Sequence, residues 1–495
     1  MLLLSPQQIQ QWDAYTIQHE PISSIDLMER AARQCADWII TNNYIHPSVK
    51  IFCGKGNNGG DGLAIARMLL QQQIPVAVYI LEFGAKGTDD FQLNLQRLHS
   101  LTKDIHFIQA PEFFPVIDKE TVVIDALFGS GLNRPLQDLN AAMVQHINQS
   151  GASVISIDVP SGLYIDKSSK GNPIITARHT LTFQSLKLCL MVPENAGCFG
   201  EVTVLNIGLH PLFLQQTEAT FSLLSKAEIA AGIKPRNSFS HKGTYGHALL
   251  VAGNTGKMGA ALLAAKACLR SGVGLLTVNI PRDGLPILQA AIPEAMATIR
   301  EEETHTYDVY ASIGIGPGIG TTAAGEAMVL NLLKNYTKPV VWDADAINIL
   351  AKNKQWLEHL SPGSILTPHP KEFERLVGAC ENDFERWNKA IELSKQYPLV
   401  MVLKGHYTLV AFNGKGWFNT TGNAGMAKGG SGDMLTGMLT ALLAQGYTPL
   451  KATLTGVYLH GLAADLTLQE QSMESMLPSD TIESIGRAFL FLKEQ

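Results

Sequence analysis

The sequence predicts a two-domain α/β protein in which each domain is a parallel sheet covered by helices. Three observations predict it. A chain of 495 residues exceeds one comfortable hydrophobic core. Short β-branched runs alternate with stretches that are apolar at helical spacing, the rhythm of a parallel sheet with crossover helices. The 44 glycines gather in short clusters directly after those runs, as tight loops rather than low complexity.

An opening helical pattern covers residues 5–41. Buried strands are then expected at 49–53, 76–81, 105–108, 122–125 and 154–158, with helices at 61–73, 91–101 and 141–149 between several of them. Around 210–225 the rhythm lapses, which sets domains of 1–215 and 225–495. The second series has strands at 248–252, 275–280, 309–313, 340–342, 364–366 and 400–403. Long apolar helices at 434–443, 452–466 and 481–492 close the chain. The halves share a style but no motif order, so no internal repeat is expected.

Composition narrows the class. A net charge of −6 gives no electrostatic footprint for nucleic acid or an anionic membrane surface, so neither is an expected partner. The six cysteines are scattered without a CxxC pair, the pattern of reduced packing residues in a cytoplasmic protein. The N-terminus lacks the basic and apolar regions of a signal peptide, and no apolar run approaches the ~18–20 residues that span a bilayer.

Three loops in the first half follow predicted strands. Gly54-Lys55-Gly56-Asn57-Asn58-Gly59-Gly60-Asp61-Gly62 lies between a strand and a helix, where glycine amides and a helix N-terminus suit an anion. It lacks the Lys-Ser/Thr of a P-loop. A tight turn alone accounts for glycines, but not for two Asn and an Asp. Ile124-Asp125-Ala126-Leu127-Phe128-Gly129-Ser130-Gly131-Leu132 and Ile157-Asp158-Val159-Pro160-Ser161-Gly162 are the other two. Either Asp alone is more often a turn or cap residue. Three such loops at one sheet edge supply oxygen ligands for a hard cation and a carboxylate for acid/base work.

These motifs, in this order, resemble the NAD(P)H-hydrate epimerase family over roughly residues 5–210. That family interconverts the R and S epimers of hydrated NAD(P)H and holds a potassium ion. The resemblance implies a Rossmann-like α/β/α sandwich. It implies substrate contact by Asn57, Asn58, Gly59, Gly60 and Asp61, and by Gly129, Ser130, Gly131, Leu132, Asn133, Arg134 and Pro135. It further implies potassium at Asn58, Asp125 and Ser161, with Asp158 as the proton-handling carboxylate.

In the second half, Asn423 to Asp433 (NAGMAKGGSGD) opens an apolar helix whose free amides form an anion hole. Asp433 is placed to accept the proton of a substrate hydroxyl. As a mere N-cap it would not need so particular a run. Lys404-Gly405-His406-Tyr407-Thr408 ends a strand within reach of phosphates or ribose. Gly314 to Gly320 is a further strand-to-loop turn, weak alone. Asp343 and Asp345 follow another strand, and Thr367-Pro368-His369-Pro370-Lys371-Glu372 adds a His and a Glu.

These runs, with HKGTYG at 241–246 and GKMGAA at 256–261, are similar to the ribokinase-like superfamily and more closely to the nucleotide-dependent NAD(P)H-hydrate dehydratases, over about residues 225–495. The resemblance implies a ribokinase-like α/β/α sandwich. It implies contacts to the hydrated nicotinamide by Ala260, Gly318, His369 and Asp433. Nucleotide contacts fall to Lys404, Gly405, His406, Tyr407, Thr408 and Gly432. Family members often carry Pro where this chain has Ala424 and Thr near Ser431, and neither change removes a needed group.

Both resemblances name one substrate, so the sequence is expected to encode a bifunctional repair enzyme acting on NADHX or NADPHX with ADP and Mg2+, as a homo-oligomer. Epimerisation feeds dehydration of the S form, which returns NAD(P)H, AMP and phosphate. Two other readings stay open: a vitamin-precursor kinase that stops at the phosphorylated product, and a first half that binds a ligand without catalysis. The preference between NADHX and NADPHX, and between ADP and ATP, stays open as well.

Overall fold

The computed structural model describes every residue except 46, 83, 85, 303–305 and 495. The chain divides into two compact units, one of Leu2–Ala219 with Asn382–Phe384, the other of Thr220–Glu381 with Glu385–Gln495 and Met1.

The first unit is built on seven strands: β1 (Val49–Cys53), β2 (Val76–Leu81), β3 (Ile105–Ile108), β4 (Val122–Ala126), β5 (Ser153–Ile157), β6 (His179–Phe183) and β7 (Glu201–Leu205). They lie in the order β3-β2-β1-β4-β5-β6-β7, all parallel. The chain order reverses between β1 and β4, the point at which open parallel sheets bind ligands. Cys53 pairs with Ala126 and Asp125 with Ser156, so the three predicted loops leave the sheet at one level. Apolar residues of both sheet faces are buried, among them Ile51, Phe52 and Ile124 at 0% exposure, as a sheet sandwiched by helices requires.

The second unit has β8 (Phe221–Leu223), β9 (His247–Val251), β10 (Leu275–Ile280), β11 (Met296–Ile299), β12 (Ser312–Ile315), β13 (Val340–Trp342), β14 (Ile365–Leu366), β15 (Val400–Leu403), β16 (Thr408–Phe412) and β17 (Lys415–Asn419). Their order is β8-β17-β16-β15-β14-β13-β12-β9-β10-β11. β9 to β15 run parallel, and β16 and β17 add an antiparallel hairpin. Helix Ser431–Ala444 is buried from Met434 to Ala444 and crosses this sheet against helix Met258–Arg270. Contact is backbone to backbone: a Cβ on Gly437 would lie 2.0 Å from the Ala264 carbonyl oxygen.

Several expected elements change. The opening pattern is two helices, Pro6–His19 and Ser24–Thr41, each started by a serine cap at Ser5 and Ser23. The helix expected at 61–73 begins at Asn57, so Asn57 to Asp61 form its first turns instead of a loop. The strand expected at 309–313 is Ser312–Ile315, and the run 481–492 is split between Pro478–Glu483 and Ile485–Lys493. β6, β7, β8, β11, β16 and β17 were not expected. Their threonines, polar ends and short lengths weaken the apolar signal, and sheet pairing makes up for it.

Candidate active sites

In the first unit β1 turns into helix Asn57–Gln71 through Gly54 to Gly56. A Cβ on Gly59 would lie 1.8 Å from the Gly54 carbonyl oxygen, so this turn admits only glycine there. The N-cap is Gly56, which offers no side chain to the first amides of the helix. That end opens into a cavity of about 640 Å³, a size suited to a small-molecule ligand. Asn57, Asn58, Asp61, Gly129, Ser130, Gly131, Leu132, Asn133, Arg134 and Asp158 line it. Gly59, Gly60 and Pro135 are not part of the lining. Gly60 instead closes the packing against Met28, whose sulfur would lie 2.8 Å from a Cβ there.

Asp125 is fully buried at the end of β4. Its carboxylate accepts from Ser161 Oγ (2.6 Å), Ser161 N (2.9 Å), Ser156 Oγ (2.8 Å) and Leu127 N (3.3 Å). All four donors are neutral, and among the described residues no cationic side chain pairs with it. Burial therefore pushes its carboxyl above the ordinary range despite these hydrogen bonds. The Asn58 carboxamide sits beside the Gly129 backbone with its Nδ2 buried and unsatisfied. An uncompensated buried carboxylate ringed by hydroxyl, carbonyl and amide groups fits a hard monovalent cation.

Asp158 follows β5 with φ +67°, a left-handed conformation that costs a non-glycine residue about 1–3 kcal/mol. That geometry points its carboxylate at the Ser130 amide, which donates to Oδ2 at 3.1 Å. Lys187, 2% exposed, places Nζ 2.8 Å from Oδ1 and donates to the Phe183 carbonyl at 2.7 Å. Burial alone would raise the Asp158 carboxyl. The Lys187 charge and the Ser130 donor override burial, and the group is held below its ordinary value, as carboxylate.

Two more acids face the same cavity. Asp61 is 92% buried, and burial, with the charges of Asp158, Asp13 and Asp90, drives its carboxyl far up. Asp13, on helix Pro6–His19, is pushed up to about 6, by burial first and then by the Asp158 charge. The sequence reading missed Asp13 and Lys187, because nothing in the linear pattern places either beside Asp158.

In the second unit β9, β12, β13 and β14 end level, with Ile315 beside both Val251 and Trp342 and Trp342 beside Leu366, and β15 runs two residues further, to Leu403. The loops after them carry Asn254, Gly316 to Gly320, Asp343, Thr367 and Lys404. Gly430 is the N-cap of helix Ser431–Ala444 at φ +101°, again with no side-chain cap, and Asp433 stands in the first turn, free of any capping duty. Lys404 Nζ lies 2.9 Å from Asp343 Oδ1. Thr367 Oγ1 donates to the same oxygen at 2.7 Å, and Thr436 Oγ1 to Oδ2 at 2.8 Å. Burial works to lower the Lys404 amine, but Asp343 outweighs it and keeps the amine above its ordinary value. Asp433 is pushed up to about 6 by burial and the Asp343 charge, with Lys404 opposing.

A cavity of about 650 Å³ gathers His369, Lys404, Gly405, His406, Thr408, Ser431 and Gly432. Tyr407 is outside its lining, packed edge-on against His406 at 4.3 Å between ring centroids. Asp433 is outside it too, next to Gly432 on the helix, and so are Ala260 and Gly318. The latter two meet each other, since a Cβ on Gly318 would lie 3.4 Å from that of Ala260. Asp345 accepts from the Gly320 amide at 2.8 Å, tying that loop towards Asp433, on which its charge acts. His369 caps helix Pro370–Val377, its Nδ1 accepting from Lys371 N and Glu372 N, which leaves Nε2, 3.4 Å from Glu372 Oε1, as the ring nitrogen that can meet a ligand. His460, 9% exposed and pushed down to about 4 by burial, lines the same cavity 3.4 Å from Ser431 Oγ. The sequence reading missed it inside an apolar helix. Among the described residues no group of three His, Cys, Asp or Glu converges on a metal position.

Comparison with known proteins agrees in both units. The family described as YjeF-related protein N-terminus matches residues 24–189, and the one described as NAD(P)H-hydrate dehydratase matches residues 248–487. A bifunctional NAD(P)H-hydrate repair enzyme of Moorella thermoacetica is 34% identical over 100% of this chain and 98% of its own length. One from Escherichia coli is 32% identical over 88% of this chain and 84% of its own. Among solved structures, a ribokinase-like superfamily protein from Enterococcus faecalis is 28% identical, covering 56% of this chain and 98% of that one with a TM-score of 0.50. The second unit thus has the ribokinase-like fold, and the chain belongs to the family of bifunctional NAD(P)H-hydrate repair enzymes.

Proposed function

We propose that the first unit interconverts R- and S-NAD(P)HX and that the second dehydrates the S form to NAD(P)H with ADP, releasing AMP and phosphate. The observation that carries this reading is Asp433, poised near 6 beside an uncapped helix N-terminus and Lys404. A carboxylate of that strength takes the proton of the substrate ring hydroxyl near neutral pH. The oxygen attacks the terminal phosphoryl group, and the helix amides and Lys404 stabilise its developing charge. Phosphate then leaves carbon where hydroxide would not. His369 Nε2 and the Ala260–Gly318 contact hold the hydrated nicotinamide. Gly432 and Lys404 to Thr408 hold the nucleotide, with Tyr407 acting through His406. Mg2+ would be carried chiefly by the nucleotide, in keeping with its preference for few protein ligands, and would offset phosphate charge.

In the first unit Asp158 is the carboxylate that handles protons at the hemiaminal carbon. Asn57, Asn58, Asp61 and the 129–135 loop hold the substrate, with Gly59, Gly60 and Pro135 shaping the loops. Potassium at Asn58, Asp125 and Ser161 would neutralise the buried Asp125 and firm the loop that carries Ser130. Only small molecules are proposed as partners, and the setting is a cytoplasmic homo-oligomer. No helix among the described residues is long and apolar enough to cross a membrane, and all six cysteines are free.

The test incubates the full chain with S-NADHX and ADP while following the absorbance of reduced nicotinamide and release of AMP and phosphate. Recovery of NADH with stoichiometric phosphate is expected. Phosphorylated substrate without NADH would make the second unit a kinase and overturn the reading.

A further inference from the structure

The first cavity holds more carboxylates than one proton transfer needs. Asp158 enters it from the end of β5, Asp61 from helix Asn57–Gln71 and Asp13 from helix Pro6–His19. Helix Pro6–His19 is fixed by neighbours on both sides of Asp13. Trp12 is 3% exposed and donates from its indole N–H to the His210 carbonyl at 2.9 Å. Thr16 is fully buried, and its Oγ1 accepts from the His210 amide at 2.9 Å. Asp13 is thereby presented to the cavity, and among the described residues no hydrogen bond engages its carboxyl.

We propose that Asp13 is the second acid/base group of this cavity, working with Asp158 from a separate wall. The inference rests on the epimerase reading of the first unit. Inversion at a hemiaminal carbon requires the hydroxyl to leave from one face of the ring and water to add to the other. A single carboxyl fixed on a strand end serves one face; a pair on separate elements serves both.

The step balances. A neutral carboxyl gives its proton to the ring hydroxyl, the C–O bond breaks with its electron pair on oxygen, and water departs. The ring nitrogen lone pair forms the C=N bond of a planar iminium. Water then adds to the opposite face, the π pair returns to nitrogen, and the ionised carboxylate takes the proton released. The pair ends with the proton on Asp158, and because Lys187 favours the ionised form there it passes back to Asp13, which resets the pair. Lys187 keeps Asp158 ionised, while Asp13 releases its proton near neutral pH, the division such a pair requires. Asp61 lines the same cavity, its carboxyl pushed upward by burial and by the charges of Asp158, Asp13 and Asp90.

The experiment uses the full chain without nucleotide and R-enriched NADHX, with conversion to S followed by chromatography, in ordinary water and in 18O-water. Asp13→Asn is expected to lower kcat for epimerisation about 10²-fold with KM little changed. Incorporation of 18O at the ring carbon falls in parallel, Asp13→Glu recovers part of the rate, and dehydration of S-NADHX with ADP stays at the wild-type rate. If thermal melting shows that Asp13→Asn does not fold, Asp13→Ala is read in its place. Epimerisation by the variant at the wild-type kcat, or a loss confined to KM, overturns the proposal. If the wild-type chain itself fails to accelerate epimerisation, it is the epimerase reading that falls, a result distinct from either.

Discussion

Asp158, buried, and Asp433, half-buried, both stand beside a lysine at the edge of a parallel sheet, yet they are held in opposite conditions. Lys187 sits 2.8 Å from Asp158 and shares itself only with a backbone carbonyl, so Asp158 is kept below its ordinary value. Lys404 is engaged by a third acid, Asp343, which two threonines hold in place. Asp433 is pushed up to about 6 by burial first and then by the repulsion of Asp343, with Lys404 only partly opposing. Burial raises both acids, and the position of the lysine decides which of them is nevertheless held ionised as a base and which stays near 6. Variants that move charge at either lysine break or sharpen this contrast.

The largest effect is expected from Asp433→Asn. Removing the proton acceptor should lower dehydration of S-NADHX by about 10³-fold while epimerisation of the R form continues. Separate assays of the two conversions check it, and a variant that still dehydrates at near the wild-type rate would remove Asp433 from the chemistry. Lys187→Met comes next, at about 10²-fold on epimerisation at pH 7. Without its cation the buried Asp158 takes up a proton, so its carboxyl rises and the acidic limb of the pH profile moves to higher pH. A limb that stays in place would mean that Lys187 does not set the ionisation of Asp158.

Much of this contrast was invisible in the linear chain. The parallel sheets were legible because β-branched runs such as 49–53 and 400–403 are buried on both faces and read as continuous apolar stretches. Asp158 and Asp433 were legible because each ends a motif at a predicted strand or helix terminus. Lys187 follows a strand that the apolar pattern did not reveal, Asp13 lies in an ordinary amphipathic helix, and His460 sits in a long, mostly apolar helix. Only folding makes these residues neighbours of the site. Asp343 was noticed as an acid after a strand, but its hold on Lys404 depends on Thr367 and Thr436, which are far apart in sequence.

A smaller effect tests the lysine of the second unit. Asp343→Asn removes the charge that raises Asp433 and frees Lys404 to approach it, so the Asp433 carboxyl should fall. Dehydration needs the ionised form, and in the wild type the rate declines about tenfold per pH unit below about 6. In the variant that decline should begin at lower pH. A profile unchanged from wild type would show that Asp343 does not act on Asp433.

The smallest effect concerns Asp125, whose buried carboxylate has four neutral donors and, among the described residues, no cationic side chain. Its carboxyl is raised by burial, so leaving it ionised at neutral pH costs free energy that a bound cation relieves. A ligand that binds only the folded state at a hundred times its Kd adds about 2.7 kcal/mol, and each kcal/mol raises the melting temperature of a unit this size by about 2–4 °C. Potassium chloride should therefore raise the melting temperature of the wild-type chain by several degrees over choline chloride at equal ionic strength. Asp125→Asn keeps the shape but removes the charge, and its melting temperature should not respond to the exchange of salts. Equal melting of the wild type in the two salts would separate the Asn58–Asp125–Ser161 cluster from any cation and leave Asp125 as a protonated anchor for the Ser161 loop.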